Sequence, residues 1–256
     1  MKLHFTKYQA TANDFVLVDN RKGEYQFTPD QIRKICDRRL GVGSDGLILL
    51  ESDPSEEFKL IYYNPDGTQS LCGNGCRSAV DFAARLGIIS SQCSFSAFDG
   101  THQASILPDG QIRLQMNDVK SIESVNGDFF LNTGSPHYCK FVTNVNEYPV
   151  FVEGRKIRYD DQFPEGTNVN FIEKNDDHSL MVRTYERGVE EETYSCGTGV
   201  TAAALAASQQ GLSSPVRIHA KGGSLTIDFK KTSSGSYTDI FLTGPAKMVF
   251  EGSLEL

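Results

Sequence analysis

The sequence lacks an apolar run near the ~20 residues needed to cross a bilayer. Its opening, "MKLHFTKYQA", lacks the apolar core of a secretory signal. A cytoplasmic protein without a membrane partner is the expectation. Positive charge is also scarce. With 25 Lys and Arg against 33 Asp and Glu, the net charge is −8 and no basic patch stands out, which argues against a nucleic-acid partner. Low-complexity segments are missing. The six cysteines, Cys36, Cys72, Cys76, Cys93, Cys139 and Cys196, include no C-x-x-C pair, so a thiol–disulfide exchange site has no motif to rest on. Cys72 and Cys76 are spaced C-x3-C, but no second close Cys/His pair completes a four-ligand zinc set, so no metal is expected. In a chain of this length without a signal, the cysteines read as free thiols.

What remains is ordinary for a globular chain. The 256 residues, 39% hydrophobic and 23% charged, suit one large domain or two medium ones. "KLHFTKY", "DFVLVDN", "DGLILLES" and "FKLIYYN" read as strands. "TPDQIRKICDRRLG" reads as a helix with Thr28 as N-cap, Pro29 at the first position and Gly41 closing it. "NPDG" (64–67) is a turn, and "QASILPDGQIRLQM" a hairpin. After Cys72, the residues Cys76, Ala79, Val80, Ala83 and Ala84 recur at helical spacing up to Gly87. Strands resume with "YCKFVTN", "NVNFIEK" and "SLMVRTYERG", then a second alanine-rich helix, then "VRIHA", "SLTIDF" and "DIFLTG". Short strands around two prominent apolar helices make an α+β protein.

One long-period repeat stands out. "CGNGCRSAVDFAARLG" (72–87) aligns with "CGTGVTAAALAASQQG" (196–211) at an offset of 124 residues (196 − 72), matching the cysteine, two glycines, two alanines and the closing glycine. Two halves of similar architecture follow, with a boundary in the polar stretch near 118–125. A helix N-terminus leaves N–H groups unpaired and carries about half a positive charge. It therefore stabilises a thiolate and receives a carboxylate. One such cysteine is a candidate nucleophile. Two in a repeated context suggest a two-base racemase or epimerase, one thiol removing a proton from a carbon and the other returning one to the opposite face. Cys36, Cys93 and Cys139, inside apolar patterns, read as core thiols, as does Cys76 one turn into its helix.

Taken in order, "ANDFVLVDN" (12–20), "GVGSDG" (41–46), "NPDG" (64–67), "CGNG" (72–75), "GSPHYC" (134–139), "FPEGTNVNF" (163–171), "YERG" (185–188), "CGTG" (196–199) and "GPA" (244–246) resemble the diaminopimelate epimerase family. The resemblance covers nearly the whole chain. It implies two pseudosymmetric α/β halves, 1–118 and 119–244, each a curled, mainly antiparallel sheet around a central helix. It implies that a tail near 245–256 returns to the first half, and that the site lies in a cleft whose closure excludes water. It also implies a cofactor-independent enzyme acting on the amino acid diaminopimelate, with a homodimer as the assembly to consider. By the same resemblance, Cys72 and Cys196 are the acid/base pair. Gly73, Asn74, Gly197 and Thr198 face the reacting α-carboxylate, and Asn13, Asn64 and Asn168 hold polar groups of the substrate. Arg187 takes the distal carboxylate, Glu186 seats the distal ammonium, and Glu186 and His137 tune the thiols.

Two departures from the family pattern bear on substrate recognition, and other readings stay open beside it. Relatives have glycines where Ala10 and Ala12 stand in "ATANDF", so this loop is expected to differ in shape. Ser135 stands where relatives have an asparagine at the substrate's distal end, and a hydroxyl lacks a carboxamide's donor pair. Both touch recognition more than chemistry. A proline or hydroxyproline racemase is the nearest alternative, although that group carries histidine where this chain has Asn74. A non-catalytic or thiol-redox protein on the same scaffold is the alternative from another class. Asn13 and Asn64 stand in turn contexts, and Glu186–Arg187 also fits a solvated pair.

Overall fold

The structure, a computed structural model, describes residues 2–256. The chain divides into two compact units, Met1–Leu114 with Gly244–Leu256, and Gln115–Thr243.

The first unit contains β1 (Lys2–Ala10), β2 (Asn13–Asp19), α1 (Pro29–Cys36), β3 (Gly46–Glu51), β4 (Phe58–Tyr63), α2 (Gly73–Arg85), β5 (Gln92–Ala97), β6 (Gly100–Ile106) and β7 (Ile112–Gln115). The second contains β8 (Glu123–Val125), β9 (Asp128–Asn132), β10 (Pro136–Phe141), α3 (Val150–Arg158), β11 (Asn168–Lys174), β12 (Leu180–Glu186), β13 (Glu191–Thr193), α4 (Gly197–Gln209), β14 (Val216–Ala220), β15 (Gly223–Lys231) and β16 (Tyr237–Gly244). The chain ends with β17 (Lys247–Glu255), which pairs antiparallel with β1 in the first unit.

Each unit follows the same internal plan. In the first, the strands run β17-β1-β2-β3-β4-β5-β6-β7, and only the β2/β3 and β4/β5 pairs are parallel. In the second they run β8-β9-β10-β11-β12-β14-β15-β16, and only the β10/β11 and β12/β14 pairs are parallel. Parallel neighbours need a crossover, and α1, α2, α3 and α4 supply it at matching places. The cysteine repeat is thus the visible part of a repeated topology.

The second crossover helix of each unit is its core. α2 touches β17, β1, β2, β3, β4 and β6, and α4 touches β9, β10, β11, β12, β14 and β15, so each sheet curls around its helix. Alanine suits this place because a strand can approach a helix face that carries only Cβ atoms. Ala202, Ala203, Ala204, Ala206 and Ala207 are all fully buried around α4. A helix apolar on every side is stable only when enclosed.

Two helices differ from expectation. α1 has the predicted Thr28 cap, with Gln31 completing a capping box, but it stops at Cys36 and not near Gly41. Asp37 ends it, its carboxylate accepting from the N–H groups of Arg39 and Leu40, a turn that competes with the helical ladder. α3, in "VFVEGRKIR", carries no helix signal as clear as the two alanine runs. Its Val150 joins a cluster with Tyr138, Val169, Phe171 and Tyr185, so tertiary packing forms it.

The β1–β2 hairpin is closed by Thr11 and Ala12 alone, since Ala10 pairs with Asn13. Both loop residues are left-handed, at φ 48° and 64°. This is the geometry of a two-residue turn that favours Asn-Gly. Ala10 lies in the strand, so of the two alanines it is Ala12 that carries strain a glycine would relieve.

Candidate active site

Cys72 and Cys196 are the N-cap residues of α2 and α4, in matching extended conformations (φ −131°, ψ 113° and φ −115°, ψ 113°). Neither side chain caps its helix. The first intrahelical bonds begin at Cys76 N–H and Val200 N–H. The amides of Gly73, Asn74 and Gly75, and of Gly197, Thr198 and Gly199, are therefore the end donors that an anion can use. The closing glycine of each Cys-Gly-x-Gly motif is closely packed. A Cβ on Gly199 would lie 2.5 Å from Asn170 Oδ1, and one on Gly75 would lie 3.1 Å from Ile48 Cδ1.

In the first unit the side chains around Cys72 form a chain of amides. Asn13 Oδ1 lies 3.5 Å from Cys72 Sγ and accepts from Asn74 Nδ2 at 3.2 Å. Asn13 Nδ2 donates to Asp45 Oδ2 at 2.6 Å, and Arg77 Nη2 donates to Asn74 Oδ1 at 2.9 Å. Arg38 donates at 2.7 Å to Asp45 and also binds Asp14. Burial pushes the Asp14 carboxyl up, but hydrogen bonds from Arg38 and Lys7 outweigh it and hold the group below its ordinary range. Asn64 is engaged differently: its Nδ2 donates within its own turn, to Thr68 Oγ1 at 3.0 Å and Ser70 Oγ at 3.2 Å.

In the second unit Cys196 Sγ lies 3.4 Å from Thr198 Oγ1, which lies 2.9 Å from His137 Nε2. Ser135 Oγ joins them, 3.0 Å from His137 Nε2. His137 is fully buried on β10, and burial, assisted by the charge of Arg187, pushes its pKa down to about 3. The imidazole is neutral at neutral pH. Its tautomer follows from its neighbours. Asn170 Oδ1 accepts from Thr184 at 2.9 Å, so Asn170 turns its Nδ2 to His137 Nδ1 at 3.1 Å. Nδ1 is then the acceptor and Nε2 carries the proton, directed at the Thr198 and Ser135 hydroxyls.

Asn168 donates to Ser135 Oγ at 3.1 Å, and its Oδ1 accepts from the Arg187 amide at 2.9 Å. It thereby ties the start of β10 to the end of β12. Glu186 is the last residue of β12, and its carbonyl accepts from Glu190 N–H. Arg187 Nη1 donates to the Glu165 carbonyl at 3.0 Å. A guanidinium has five N–H donors, so this bond orients the group without exhausting it.

The remaining cysteines are structural. Burial pushes the thiol of Cys76 well above its ordinary value, raises Cys36 and Cys139, and lifts Cys93 to about 12. Such thiols are poor nucleophiles.

Asp45, Arg77, Thr11 and Asn170 escaped the reading of motifs. Arg77 had a signal, a cation inside the apolar run one turn after Cys72. The other three act through contacts between distant segments, which no local pattern encodes.

The diaminopimelate epimerase family model matches residues 5–122 and 129–249. The diaminopimelate epimerase of Flavobacterium psychrophilum is 47% identical over 99% of this chain and 100% of its own length. That of Chlorobaculum tepidum is 40% identical over 95% and 98%, and that of Aquifex aeolicus 38% over 98% of each. Among solved structures, a phenazine biosynthesis protein of the PhzF family from Bacillus anthracis superposes with a TM-score of 0.80 at 14% identity, covering all of both chains. A hydroxyproline epimerase from Agrobacterium vitis, with trans-4-hydroxy-L-proline bound, has a TM-score of 0.71 at 14% identity, covering 99% of this chain and 92% of its own. These two share the fold alone. On the sequence relationships, the chain belongs to the diaminopimelate epimerase family.

Proposed function

We propose that this chain is a cofactor-independent epimerase that interconverts LL- and meso-diaminopimelate by proton transfer at one α-carbon, in lysine and peptidoglycan-precursor biosynthesis. One observation carries the reading: two cysteines of matching conformation occupy the N-cap positions of the central helices of two units with the same internal plan. In this reading one thiol, as thiolate, removes the α-proton, and the other, protonated, delivers one to the opposite face. The helix-end amides of Gly73, Asn74, Gly197 and Thr198 bind the α-carboxylate and gain as negative charge develops on the carbanion. Arg187 pairs with the distal carboxylate, an arrangement that suits a planar guanidinium. Glu186 seats the distal ammonium, and Asn13, Asn64 and Asn168 hold polar groups of the substrate. His137 donates into the Thr198 hydroxyl, freeing that hydroxyl's own proton for Cys196.

The proposal places the enzyme in the cytoplasm, without a nucleic-acid partner, as a homodimer. Support for the last point comes from β17, an edge strand bearing exposed Val249 and Phe250. An unpaired apolar edge invites pairing with a second copy.

The test is incubation of the reduced protein in deuterium oxide, without added cofactor, with LL-diaminopimelate, proline and lysine in parallel. Deuterium at one α-carbon of diaminopimelate alone is expected. No exchange into diaminopimelate under reducing conditions removes the activity, and exchange into proline instead moves the chain to the proline racemase group.

A further inference from the structure

Arg77 is an unusual core residue. It is fully buried on α2, no carboxylate pairs with it among the described residues, and its Nε and Nη1 have no hydrogen-bond partner there. Burial pushes its pKa down to about 10. A buried cation without a counter-ion is costly, and buried donors without acceptors are rare in native cores. The Nη2 group makes both of its bonds to the neighbourhood of Cys72: to Asn74 Oδ1 at 2.9 Å and to Thr11 Oγ1 at 3.2 Å. Thr11 is a β-branched residue held at φ 48°, a strained conformation for its type. Strain and an unpaired charge therefore meet at one point, next to a thiol.

The polarity of the amide chain explains what they achieve. A guanidinium only donates and a carboxylate only accepts. Arg77 stands at one end of the sequence Arg77–Asn74–Asn13–Asp45, and Asp45, itself held by Arg38, stands at the other. Every donor points the same way. With the two ends fixed, neither carboxamide can rotate without placing donor against donor or acceptor against acceptor.

We infer that Arg77 and Asp45 are positioning residues: they lock the carboxamides of Asn74 and Asn13 so that Asn13 Oδ1, an acceptor, faces the Cys72 thiol. This rests on the reading of Cys72 as one of the two acid/base thiols. An acceptor at that place holds the thiol's proton, while the Arg77 cation one turn into the helix favours negative charge at the same helix end. The two residues thus act on Cys72 in opposite senses and together set its balance between thiol and thiolate. The second unit solves the same problem differently, with a hydroxyl beside Cys196 that His137 Nε2 supplies with a hydrogen bond.

The opposition makes the inference testable. In Asp45→Asn a single oxygen is left for the donors of Arg38, Asn13 and the Asp14 amide, which share the two carboxylate oxygens in the parent, so the hold on Asn13 is lost. Asn13 then turns and presents a donor to Cys72. Alkylation of Cys72 by iodoacetamide at fixed pH, read residue by residue by mass spectrometry, is expected to speed up about threefold or more. In Arg77→Met the cation is lost, Asp45 still holds Asn13, and the same rate is expected to fall by a similar factor. Cys196 serves as the internal reference and keeps its rate in both variants. Both variants lose about tenfold or more in kcat, since misplacement of reacting groups is expensive in rate, with KM within about threefold of the parent. Should Arg77→Met not fold, Arg77→Lys keeps the charge without the planar donors, so kcat falls with the Cys72 alkylation rate retained. Rates at Cys72 that change in the same direction in Asp45→Asn and Arg77→Met, or kcat unchanged in both, overturn the inference. Cys72→Ala, assayed in parallel, separates the two claims. Full epimerase activity in that variant removes the reading of Cys72, whereas an inactive Cys72→Ala beside unaffected Asp45→Asn and Arg77→Met removes the positioning role alone.

Discussion

At the scale of single residues, burial decides chemistry. Of the six cysteines, four are core thiols raised by desolvation, and the two at helix starts are the candidates for proton transfer. His137 shows the same rule from the other side. With a folded pKa near 3 against about 6.5 unfolded, the unfolded chain binds a proton that the native state refuses. Its contribution to stability is full above about pH 6.5 and is lost as pH falls from there toward 3, by up to about 1.4 kcal/mol per pH unit. His137→Gln is expected to flatten the wild-type fall of Tm across pH 6.5 to 4. An unchanged slope in the variant contradicts a buried neutral imidazole. The residue's burial was invisible in the motif "GSPHYC". Burial is a property of the packed sheet.

At the scale of elements, the two cysteine motifs look alike in sequence but are held differently. An added Cβ at Gly199 meets the Asn170 carboxamide oxygen at 2.5 Å, whereas at Gly75 it meets the far end of Ile48 at 3.1 Å. Ile48 can give way, but Asn170 orients His137 and cannot. Gly199→Ala is expected to destabilise by about 1–3 kcal/mol and Gly75→Ala by clearly less, measured by urea denaturation. Equal losses would contradict this packing. The β1–β2 turn offers the opposite sign. Ala12→Gly relieves a left-handed alanine and is expected to stabilise by about 1 kcal/mol, while a loss of stability would show that Ala12 is unstrained. Motif periodicity predicted α2 and α4 because their apolar spacing is strong. It missed α3 and overextended α1, because the first depends on packing against Tyr185 and Phe171 and the second on the Asp37 turn.

At the scale of the whole chain, the duplicated Cys-Gly-x-Gly stretch was the informative signal, and the strand order extends it. The sequence of parallel and antiparallel pairs is the same in both units. Strand order was not legible from the residues, since it depends on pairings across long separations. β17, which contributes to the first unit from the far end of the chain, is the clearest case. If its edge joins two copies, Phe250→Asp is expected to convert dimer to monomer in sedimentation velocity, and a wild-type protein that sediments as a monomer would remove the homodimer from the proposal.

The central claim is that two thiols, one on each face of the α-carbon, exchange roles. Its most direct test is the isotopic content of both isomers early in a reaction of LL-diaminopimelate in deuterium oxide. Two bases predict that newly formed meso product carries deuterium at one α-carbon while the remaining LL substrate is still protiated. Product that retains the substrate's own α-proton, or substrate and product labelled at equal rates from the start, would contradict a two-base mechanism.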